Sequence, residues 1–487
     1  MLNRITLLLF GLALAVTSAV NAQNTWPLEK CIEYAQQNNL STKQAQYNIQ
    51  DAQLLEKLNE FSRLPNLNAR TSIGYQFGRT IDPTTNTFNN ERIGFNSFSL
   101  DAGMTVYGGN RINNSIKQSR KDLAAARLDA QATVNDISLN IASAYLSILL
   151  AEEQLQNART RLELSREQLE QTDKLIQAGS LPPNDRLDFL AQMALDEQAI
   201  VDAQNLVAIG YLNLKQLMEV DPNEDIKIVR PESIDIPASA DPRAYRLDEV
   251  YTNALQTQPQ IRAADLRLES AQIQEDIARS SMLPTLSIFA SLNSNYSSGF
   301  KDFNNPNLDN AEFVLEPAQF AEPVQIDGMD VTLREYNLEG ITFPNQAYTD
   351  QINENFGQTI GASLSIPIYN NHSNRIQMER ARLNALNTEV VNRQQRQQLK
   401  TDVQRAIADA RAARESYFAA QRSVDAAEAA FENAEKRFEL GAINTLEYTT
   451  ARNNLDRARV DLIRSNYHYI FNLKTVDFYL GRPITLD

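Results

Sequence analysis

Two very long stretches of the chain, residues 110–178 and 371–440, carry apolar residues at helical spacing and contain neither proline nor glycine. Each is followed at once by a glycine, Gly179 or Gly441, the residue that most often ends a helix. At about 1.5 Å per residue, each predicted helix is about 100 Å long. Helices in compact domains average about 10–14 residues, so these must pack against each other as an extended bundle or tube.

A seam of large and small residues runs along the second part of each long helix. Large residues recur at every seventh position, and smaller residues stand three positions after them. This repeat predicts close helix packing with a left-handed supercoil. The large positions are Leu155, Leu162, Leu169 and Ile176, and Tyr417, Val424, Phe431 and Phe438; the small positions are Ala158, Ser165 and Thr172, and Ala420, Ala427 and Ala434.

Shorter helices flank each long one. The pattern predicts helices over residues 28–63 and 247–282, before the strands, and over 185–220 and 445–480, after the long helices. The start of the first helix is placed at Pro27, because proline is favoured in a first helical turn. The helices at 28–63 and 247–282 both end at a Leu-Pro step, where the residue before proline disfavours helix.

Alternation of apolar and polar residues predicts two strands in each half of the chain, within 65–107 and at 284–298 and 356–370. Ten or more residues per strand suffice to cross a membrane at a tilt. Four strands cannot close a barrel, and an open edge in lipid leaves backbone groups unsatisfied. A membrane location therefore requires other copies, and three copies supply twelve strands.

The chain is predicted to consist of two structural repeats, residues 23–244 and 245–487. Residues 26–67 align without a gap onto residues 245–286, and the same order of helices and strands follows in both halves. An insertion at 299–355 shifts the alignment in the second half. Repetition of this kind indicates an internal duplication of one structural unit rather than two or three unrelated domains.

The composition excludes several kinds of chemistry. The 487 residues include one cysteine and two histidines, and the formal net charge is −15. One cysteine excludes a disulfide framework, and a zinc or copper site within one chain lacks ligands. The acidic balance argues against nucleic acid as a partner, because binding to phosphates requires clustered Lys and Arg. We expect no metal, no cofactor and no catalytic residue.

The first 22 residues have the features of a secretory signal peptide. Arg4 is followed by an apolar run over residues 5–16, and Val20 and Ala22 are the small residues expected before a cleavage site. The run is too short for a spanning helix, which needs about 20 residues. No other stretch is as apolar over such a length, so we expect no transmembrane helix in the rest of the chain.

The order of these elements resembles the TolC family of outer-membrane efflux proteins over nearly the whole chain after residue 22. The resemblance is carried by Leu-Pro-x-Leu strand starts at 64–67 and 283–286, the strand exit Val-Tyr-Gly-Gly-Asn-Arg at 106–111, a helix-turn signature at 437–452 and the ending at 472–481. It implies a fold that is α+β but mainly α. Each protomer of a trimer would give four strands to a membrane β-barrel and its long helices to a helical barrel.

The same resemblance implies a location and partners. The trimer would lie in the outer membrane of a Gram-negative bacterium and extend into the periplasm. It would form a passive exit duct, in contact with outer-membrane lipid, that docks onto a periplasmic adaptor and an inner-membrane pump of the RND or ABC class. The cargo would be small molecules or proteins.

The resemblance also implies functional residues at the two helix turns. Glu447, six residues after Gly441, matches an acidic position at the family's periplasmic constriction, whereas Thr450 stands where a second acidic residue is expected. Asp185 and Asp188 occupy the corresponding region of the first repeat. The alternatives are a solvated helix face for Glu447 and favourable acids at a helix N-terminus for Asp185 and Asp188. The residues that match the adaptor-docking tips are Gly179, Ser180, Leu181, Gly441, Ala442 and Ile443.

The insertion at 299–355 departs from the short loops of the family. It contains 11 acidic residues against only Lys301 and Arg334, a net charge of −9. Three interpretations are open: a solvated surface loop, a cap on the barrel mouth, or a site for a hard cation. The cation site would use Asp302, Asp309, Asp327 and Asp330, although no calcium-loop spacing is present.

Other functions fit less of the sequence. A structural or adhesive coiled-coil protein of the cell surface, the main alternative, explains the long helices but not the paired strands. A stand-alone uptake porin explains the strands but not the helices. A secreted enzyme lacks support, because no nucleophile elbow, P-loop or HExxH motif is present.

Overall fold

The computed structural model describes residues 25–81, 88–89, 92–179, 182–230, 241–317, 324–332 and 334–482 of the chain. The expected signal peptide, 1–22, lies outside these residues. The chain forms two compact units, each of which draws on both sequence repeats. Unit 1 takes in the described parts of Met1–Lys57, Ile116–Glu275 and Glu379–Asp487, and unit 2 takes in those of Leu58–Ser115 and Asp276–Met378.

The first repeat contains four helices and two long strands. In chain order they are α1 (Leu28–Asn38), α2 (Leu40–Phe61), β1 (Asn66–Gln76), β2 (Ile93–Gly108), α3 (Arg111–Gln177) and α4 (Asp185–Met218). Short elements accompany them: Thr25–Trp26 pairs in parallel with Lys227–Ile228, Thr80–Ile81 pairs with Phe88–Asn89, and Pro242–Ala244 forms a 3-10 turn.

The second repeat has the same series with an insertion. Its elements are α5 (Leu247–Thr257), α6 (Pro259–Ser280), β3 (Thr285–Ser297), then β4 (Glu312–Pro317), β5 (Val324–Ile326), β6 (Met329–Val331), β7 (Arg334–Glu339) and α7 (Tyr348–Glu354), and finally β8 (Gly357–Ser365), α8 (Ser373–Glu439) and α9 (Thr445–Tyr479). The two long helices have 67 residues each, and the helices α1 and α5, and α2 and α6, also agree in length at 11 and 22 residues. The α+β, mainly α fold is confirmed.

The helices predicted over 28–63 and 247–282 are each broken in two, which corrects the sequence expectation. The breaks fall at Asn39 and Gln258, whose backbones are extended (ψ 135° and 116°). Gln258 precedes Pro259, and a residue before proline disfavours the helical conformation. Asn39 lacks a following proline, but its side-chain oxygen accepts a hydrogen bond from the N–H of Ser41 (2.8 Å), which starts the second helix.

Both break residues also fasten the end of another helix. The Asn39 amide donates to the carbonyl oxygen of Leu217 at 2.8 Å, near the end of α4. The Gln258 amide donates to the carbonyl oxygen of Phe478 at 3.2 Å, near the end of α9. The last carbonyls of a helix have no partner within it. The Asn39 amide supplies a donor to one of them, and the Gln258 amide adds a second donor to Phe478 O, which also accepts from the N–H of Gly481 (3.0 Å). The two repeats thus use one solution at equivalent positions.

The predicted strand 356–370 is shorter than expected. β8 ends at Ser365, and Ile366, Pro367 and Ile368 lie outside the sheet. Pro367 has no N–H to donate to a ladder and restricts the residue before it, so the alternating pattern continues beyond the pairing.

The core of unit 1 is built around the middle of α3. Ile141, Tyr145 and Ile148 are at most 1% exposed and pack with Trp26, Cys31, Leu214 and Met218. The Tyr145 hydroxyl donates to the carbonyl oxygen of Val229 (2.5 Å) and accepts from its N–H (3.0 Å). Among the described residues, α3 is the one helix long and apolar enough by composition to cross a membrane. Its burial in this core accounts for that character.

The predicted seam lies inside unit 1. In α3 the small positions Ala158, Ser165 and Thr172 are 6%, 1% and 1% exposed. In α8 the corresponding alanines are half-buried in a single chain. Small side chains at these positions allow close approach of neighbouring helices, as the seven-residue pattern predicts.

The four long strands form one antiparallel sheet in unit 2, in the order β8-β3-β2-β1. The register aligns apolar side chains across all four strands, for example Leu67 with Ala102, Ala102 with Ala290 and Ala290 with Ile360. The opposite face is polar: Ser291 donates to Asp101 (2.7 Å), and the hydroxyls of Ser72 and Ser97 are 2.6 Å apart. Each face therefore has a predominant chemical character, although Phe95 and Phe289 lie on the polar face, opposite glycines.

Replacing either break residue is expected to destabilise unit 1. Asn39→Ala leaves the carbonyl of the half-buried Leu217 at the end of α4 without this donor, at a cost of about 1–3 kcal/mol. Gln258→Ala costs less, about 0.5–1.5 kcal/mol, because Phe478 O keeps its bond from the N–H of Gly481. The loss lowers the midpoint of thermal unfolding measured by circular dichroism. Gln37→Ala, at an exposed position of α1, is the control. Equal midpoints for all three variants would show that these amide bonds contribute nothing.

Candidate functional site at the helix turns

Both long helices end in a left-handed glycine. Gly179 has φ +74° and Gly441 has φ +69°, and a Cβ added at either would meet no other atom within 4 Å. Glycine is thus required here by its backbone conformation, since space is available. After α8 the N–H of Gly441 bonds to Phe438 O (2.9 Å) and that of Ala442 to Arg437 O (2.8 Å). These two bonds form a Schellman motif, which ends the helix sharply.

The predicted docking residues stand at these turns. Gly179, Gly441 and Ala442 are exposed and Ile443 is half-buried, whereas Ser180 and Leu181 lie outside the described residues. Two large apolar side chains flank the second turn in full contact with solvent: Leu440 is 83% exposed and Leu446 is 69% exposed. The turn after α8 therefore presents a small apolar surface.

The helices that follow begin with polar or acidic residues. Asn444 caps α9, because its side-chain oxygen accepts a hydrogen bond from the N–H of Glu447 (2.8 Å). Asp185 and Asp188 lie in the first turn of α4, where a carboxylate is favourable to the helix dipole. Glu447 and Asp188 are exposed and Asp185 is half-buried.

Within a single chain the three predicted carboxylates make no polar contact with one another. Within the part of the chain that the structure describes, the carboxylates of Asp185, Asp188 and Glu447 have neither a hydrogen-bond nor an ion-pair partner. Each remains available to another copy or to ions. Asp188 and Glu447 do have something in common, since each directly precedes a buried aromatic residue, Phe189 or Tyr448.

These aromatic residues form a cluster that packs α4, α8 and α9 together next to the turn. The ring of Tyr448 lies 4.8 Å from Phe438 and 5.5 Å from Phe431, and Phe189 is 6.3 Å from both Tyr448 and Phe438. The Tyr448 hydroxyl is hydrogen-bonded to Gln168 of α3. Burial raises the pKa of Tyr448 above its ordinary value, so its hydroxyl stays protonated.

A network of four charges, three of them buried, lies further along the same helices. Arg161 of α3 contacts Asp196 of α4 (Nη2 to Oδ1, 2.7 Å) and Asp456 of α9 (Nε to Oδ2, 3.1 Å). Arg452 of α9 lies 3.5 Å from Asp196 Oδ2 and 3.9 Å from Asp456 Oδ2. The side chains of Asp196, Arg452 and Asp456 are 0%, 4% and 7% exposed. Two guanidinium groups thus balance two carboxylates, as buried charges require.

Neutral groups add hydrogen bonds to the network, although Arg452 Nη1 and Asp456 Oδ2 have no hydrogen-bond partner among the described residues. The Ser165 hydroxyl donates to Asp196, the Gln192 amide donates to Asp196 Oδ1 (3.1 Å), and Arg452 donates to Ser165 Oγ (2.8 Å). Burial raises the pKa of the Asp456 carboxyl, and the two arginines oppose the shift. The network links α3, α4 and α9, because Arg161 contacts Asp196 and Asp456, and Arg452 contacts Asp196.

The sequence patterns do not predict this charge network. The seven-residue pattern gives Ser165 a role in close packing of the seam, and its hydroxyl proves to be a hydrogen-bond donor to Asp196 as well. Arg452 and Asp456 are four residues apart and lie inside an otherwise amphipathic helix, which was the available signal. The described residues contain no group of three or more His, Cys, Asp or Glu side chains that could hold a metal ion.

Comparison with known families gives one match. The model of the family described as outer membrane efflux protein matches residues 31–219 and 345–482, well over half of the chain. Comparison with curated protein sequences gives no match.

Comparison with solved structures shows the same fold in several channels. CusC superposes with a TM-score of 0.73 at 18% identity, covering 94% of this chain and 92% of that one. VceC of Vibrio cholerae gives 0.73 at 16% identity over 93% and 96% of the two chains. CmeC of Campylobacter jejuni gives 0.70 at 18% identity over 93% and 85%.

Removing one carboxylate from the buried network is expected to destabilise unit 1 strongly. Asp196→Ala leaves the buried guanidinium of Arg452 and the partly exposed one of Arg161 with one counter-charge, a loss of about 3–5 kcal/mol. Glu197→Ala, at the next position, breaks only the exposed pair with Arg166 (3.8 Å), a loss of about 0–1 kcal/mol. Thermal unfolding followed by circular dichroism compares the two. The network has no structural role if both midpoints match that of the unaltered protein.

Proposed function

The chain belongs to the outer membrane efflux protein family, and from this premise we propose that three copies of it form one exit duct. The family gives the chain a place in the outer membrane and the role of an efflux channel. Its members form channels rather than catalyse reactions, and they act as trimers with adaptor proteins and inner-membrane pumps. No observation favours the alternative of an adhesive coiled-coil protein.

The sheet of unit 2 carries the proposal of a trimeric barrel. Most of its apolar face has no covering layer in the described chain, where Ile73 is 82% exposed and Ile360 is 83% exposed. Its end strands, β1 and β8, each have one edge that no strand in the described chain pairs. An exposed apolar face suits lipid, but unpaired edges do not, since each unsatisfied group in hydrocarbon costs several kcal/mol. Pairing β8 of one copy with β1 of the next closes twelve strands around a polar interior.

The helices of unit 1 are proposed as the periplasmic part of the duct. In a trimer the three copies of each turn come together, and the exposed carboxylates of Glu447 and Asp188, with that of Asp185, then line the narrow end. A ring of carboxylates repels anions and favours cations. Thr450, where the family pattern has a second acid, limits the α9 contribution to one ring, that of Glu447.

The turns are also proposed as the docking site of a periplasmic adaptor. Leu440 and Leu446 give each α8–α9 turn an apolar surface beside Gly441, Ala442 and Ile443. At the other turn the predicted docking residues are Gly179, Ser180 and Leu181, of which the structure describes Gly179. The adaptor would connect the duct to an RND or ABC pump, which supplies the energy. An adaptor gene beside an RND gene would favour small-molecule efflux, and one beside an ABC gene would favour protein secretion.

Neutralising the proposed ring is expected to change ion flow. Glu447→Gln removes three carboxylates from the constriction, so cation selectivity falls, as measured by the reversal potential across planar bilayers with a salt gradient. Asp425→Asn, at an exposed position of α8 farther from the turn, is the matched control and keeps the original selectivity. Equal selectivity in both variants would remove Glu447 from the constriction. A protein that is monomeric in detergent and forms no pores would contradict the duct itself.

A further inference from the structure

The described residues of the insertion between β3 and β8 include a paired ribbon of strands rather than only loop. Two isolated bridges, Lys301 with Asn345 and Asn307 with Thr342, lead into the paired strands β4 and β7. Lys301 Nζ also donates to the side-chain oxygen of Asn345 (2.6 Å). The ribbon thus continues from its base at β3 to Pro317 and Arg334. Residues 299–344 lie outside both segments that match the family.

The base of the ribbon is fixed to the sheet. Helix α7 packs on β3, where the fully buried Gln351 accepts from the N–H of Ser297 (3.0 Å) and donates to Gln346 O (3.0 Å). The Tyr348 ring lies 4.9 Å from Tyr296. Ser294 of β3 donates to the carbonyl oxygen of Ile352 (2.7 Å). The insertion is therefore held at the β3–β8 end of the sheet by a hydrogen-bonded support.

The cation interpretation of this insertion receives no support. Asp302 accepts a hydrogen bond from the N–H of Asn304 (3.0 Å) in a local turn. Asp327 and Gly328 form the two-residue turn between β5 and β6, with φ of +52° and +81°. Asp-Gly at these positions is the usual signal of a type I′ hairpin, so Asp327 serves the turn.

The two faces of the β4–β7 ribbon differ: one is apolar, and the other is mainly acidic, although it includes Val314. The register places Phe313 opposite Leu338 and Leu315 opposite Tyr336, all on one face, and Phe313 and Tyr336 are in edge-to-face contact at 6.4 Å. These four side chains are 70%, 38%, 42% and 71% exposed, in the order named. The other face places like charges opposite each other, as the pairs Glu312–Glu339 and Glu316–Glu335.

An amphipathic two-stranded ribbon of this kind is not stable in water unless another surface packs against it. A two-stranded hairpin is marginal when isolated, and carboxylates directly opposite each other destabilise it further. A contiguous apolar face that stays exposed in one chain marks an interaction surface. The acidic face, in contrast, suits water.

We propose that the apolar face of this ribbon packs against the neighbouring copy in the trimer. The position of the insertion identifies the partner: α7 ends at Glu354 and β8 begins at Gly357. β8 is the end strand whose free edge pairs with the next copy, so the ribbon rises directly beside the junction between protomers. Its acidic face then turns to solvent. This inference rests on the proposed trimer and adds a second contact outside the barrel.

Cysteine labelling tests the proposal with one pair of variants. Tyr336→Cys places a thiol on the apolar face, and Glu335→Cys places one on the acidic face at the neighbouring residue, which is also exposed in a single chain. The native Cys31 does not interfere: it is buried, and burial raises the pKa of its thiol to about 12. The probe is a polyethylene glycol maleimide, applied to purified protein whose mass first establishes the trimer.

The expected result is slow labelling on one face only. In the purified trimer the thiol of the Tyr336→Cys variant reacts at least about tenfold more slowly than that of the Glu335→Cys variant, because a packed face must open before it reacts. Both variants react equally once the protein is denatured. Equal rates in the purified trimer overturn the proposal. Protection of the Tyr336→Cys thiol on whole cells alone also overturns it, since lipid or another protein then covers the face. Absence of a trimer defeats the proposed function and the inference together, and the mass measurement separates that case.

A second measurement does not depend on cysteine. Phe313→Ser combined with Tyr336→Ser removes the apolar contact, and Glu312→Gln combined with Glu339→Gln changes the acidic face of the same ribbon. The temperature at which the trimer dissociates on a gel is expected to fall by about 5 °C or more for the first variant. For the second it stays the same or rises, because a repulsive pair is lost. Equal dissociation temperatures for the Ser variant and the unaltered protein contradict the proposal.

Discussion

Backbone groups at a strand edge need hydrogen-bond partners, and hydrocarbon supplies none. The sheet of unit 2 has an apolar face suited to lipid in a single copy, but its two outer edges are incomplete. Assembly is therefore demanded by the main chain rather than by any particular side chain. The same demand applies to every chain with this sheet, which explains how proteins that share only 16–18% of their residues keep one fold.

In unit 1 the backbone groups find their hydrogen-bond partners within the chain itself. Its backbone groups pair along each helix, and polar side chains are required only where helices break, end or cross. Asn39 and Gln258 supply donors to helix ends, and Arg161, Asp196, Arg452 and Asp456 link three helices. A seam that repeats every seven residues is compatible with helices shifted by seven positions. The charge network forms at one register only, so it adds the specificity that the seam lacks.

Features with a period were predictable from the sequence, and features made by contact between distant residues were not. The long helices, their terminal glycines and the alternating strands follow from local spacing. The break at Gln258 has a local cause in Pro259. Asn39 makes a local bond with Ser41, and its second bond joins it to a carbonyl 178 residues away. Asp196 meets Arg452 only after folding, and nothing near either residue indicates the other. The acidic composition of the insertion suggested a solvated loop, a cap or a cation site. The alternation of apolar and polar residues in 312–317 and 334–339 is the pattern that indicates the two paired strands.

The equal lengths of the two long helices have a consequence for how such a chain can evolve. Deleting one residue from α3 turns everything after it by about 100° around the helix axis. The seam, the charge network and the Gly179 turn would then face the wrong neighbours. Seven residues restore the facing of the seam to within about 20°. The two long helices therefore constrain each other's length. It can change only in steps of seven residues, and only in both repeats together.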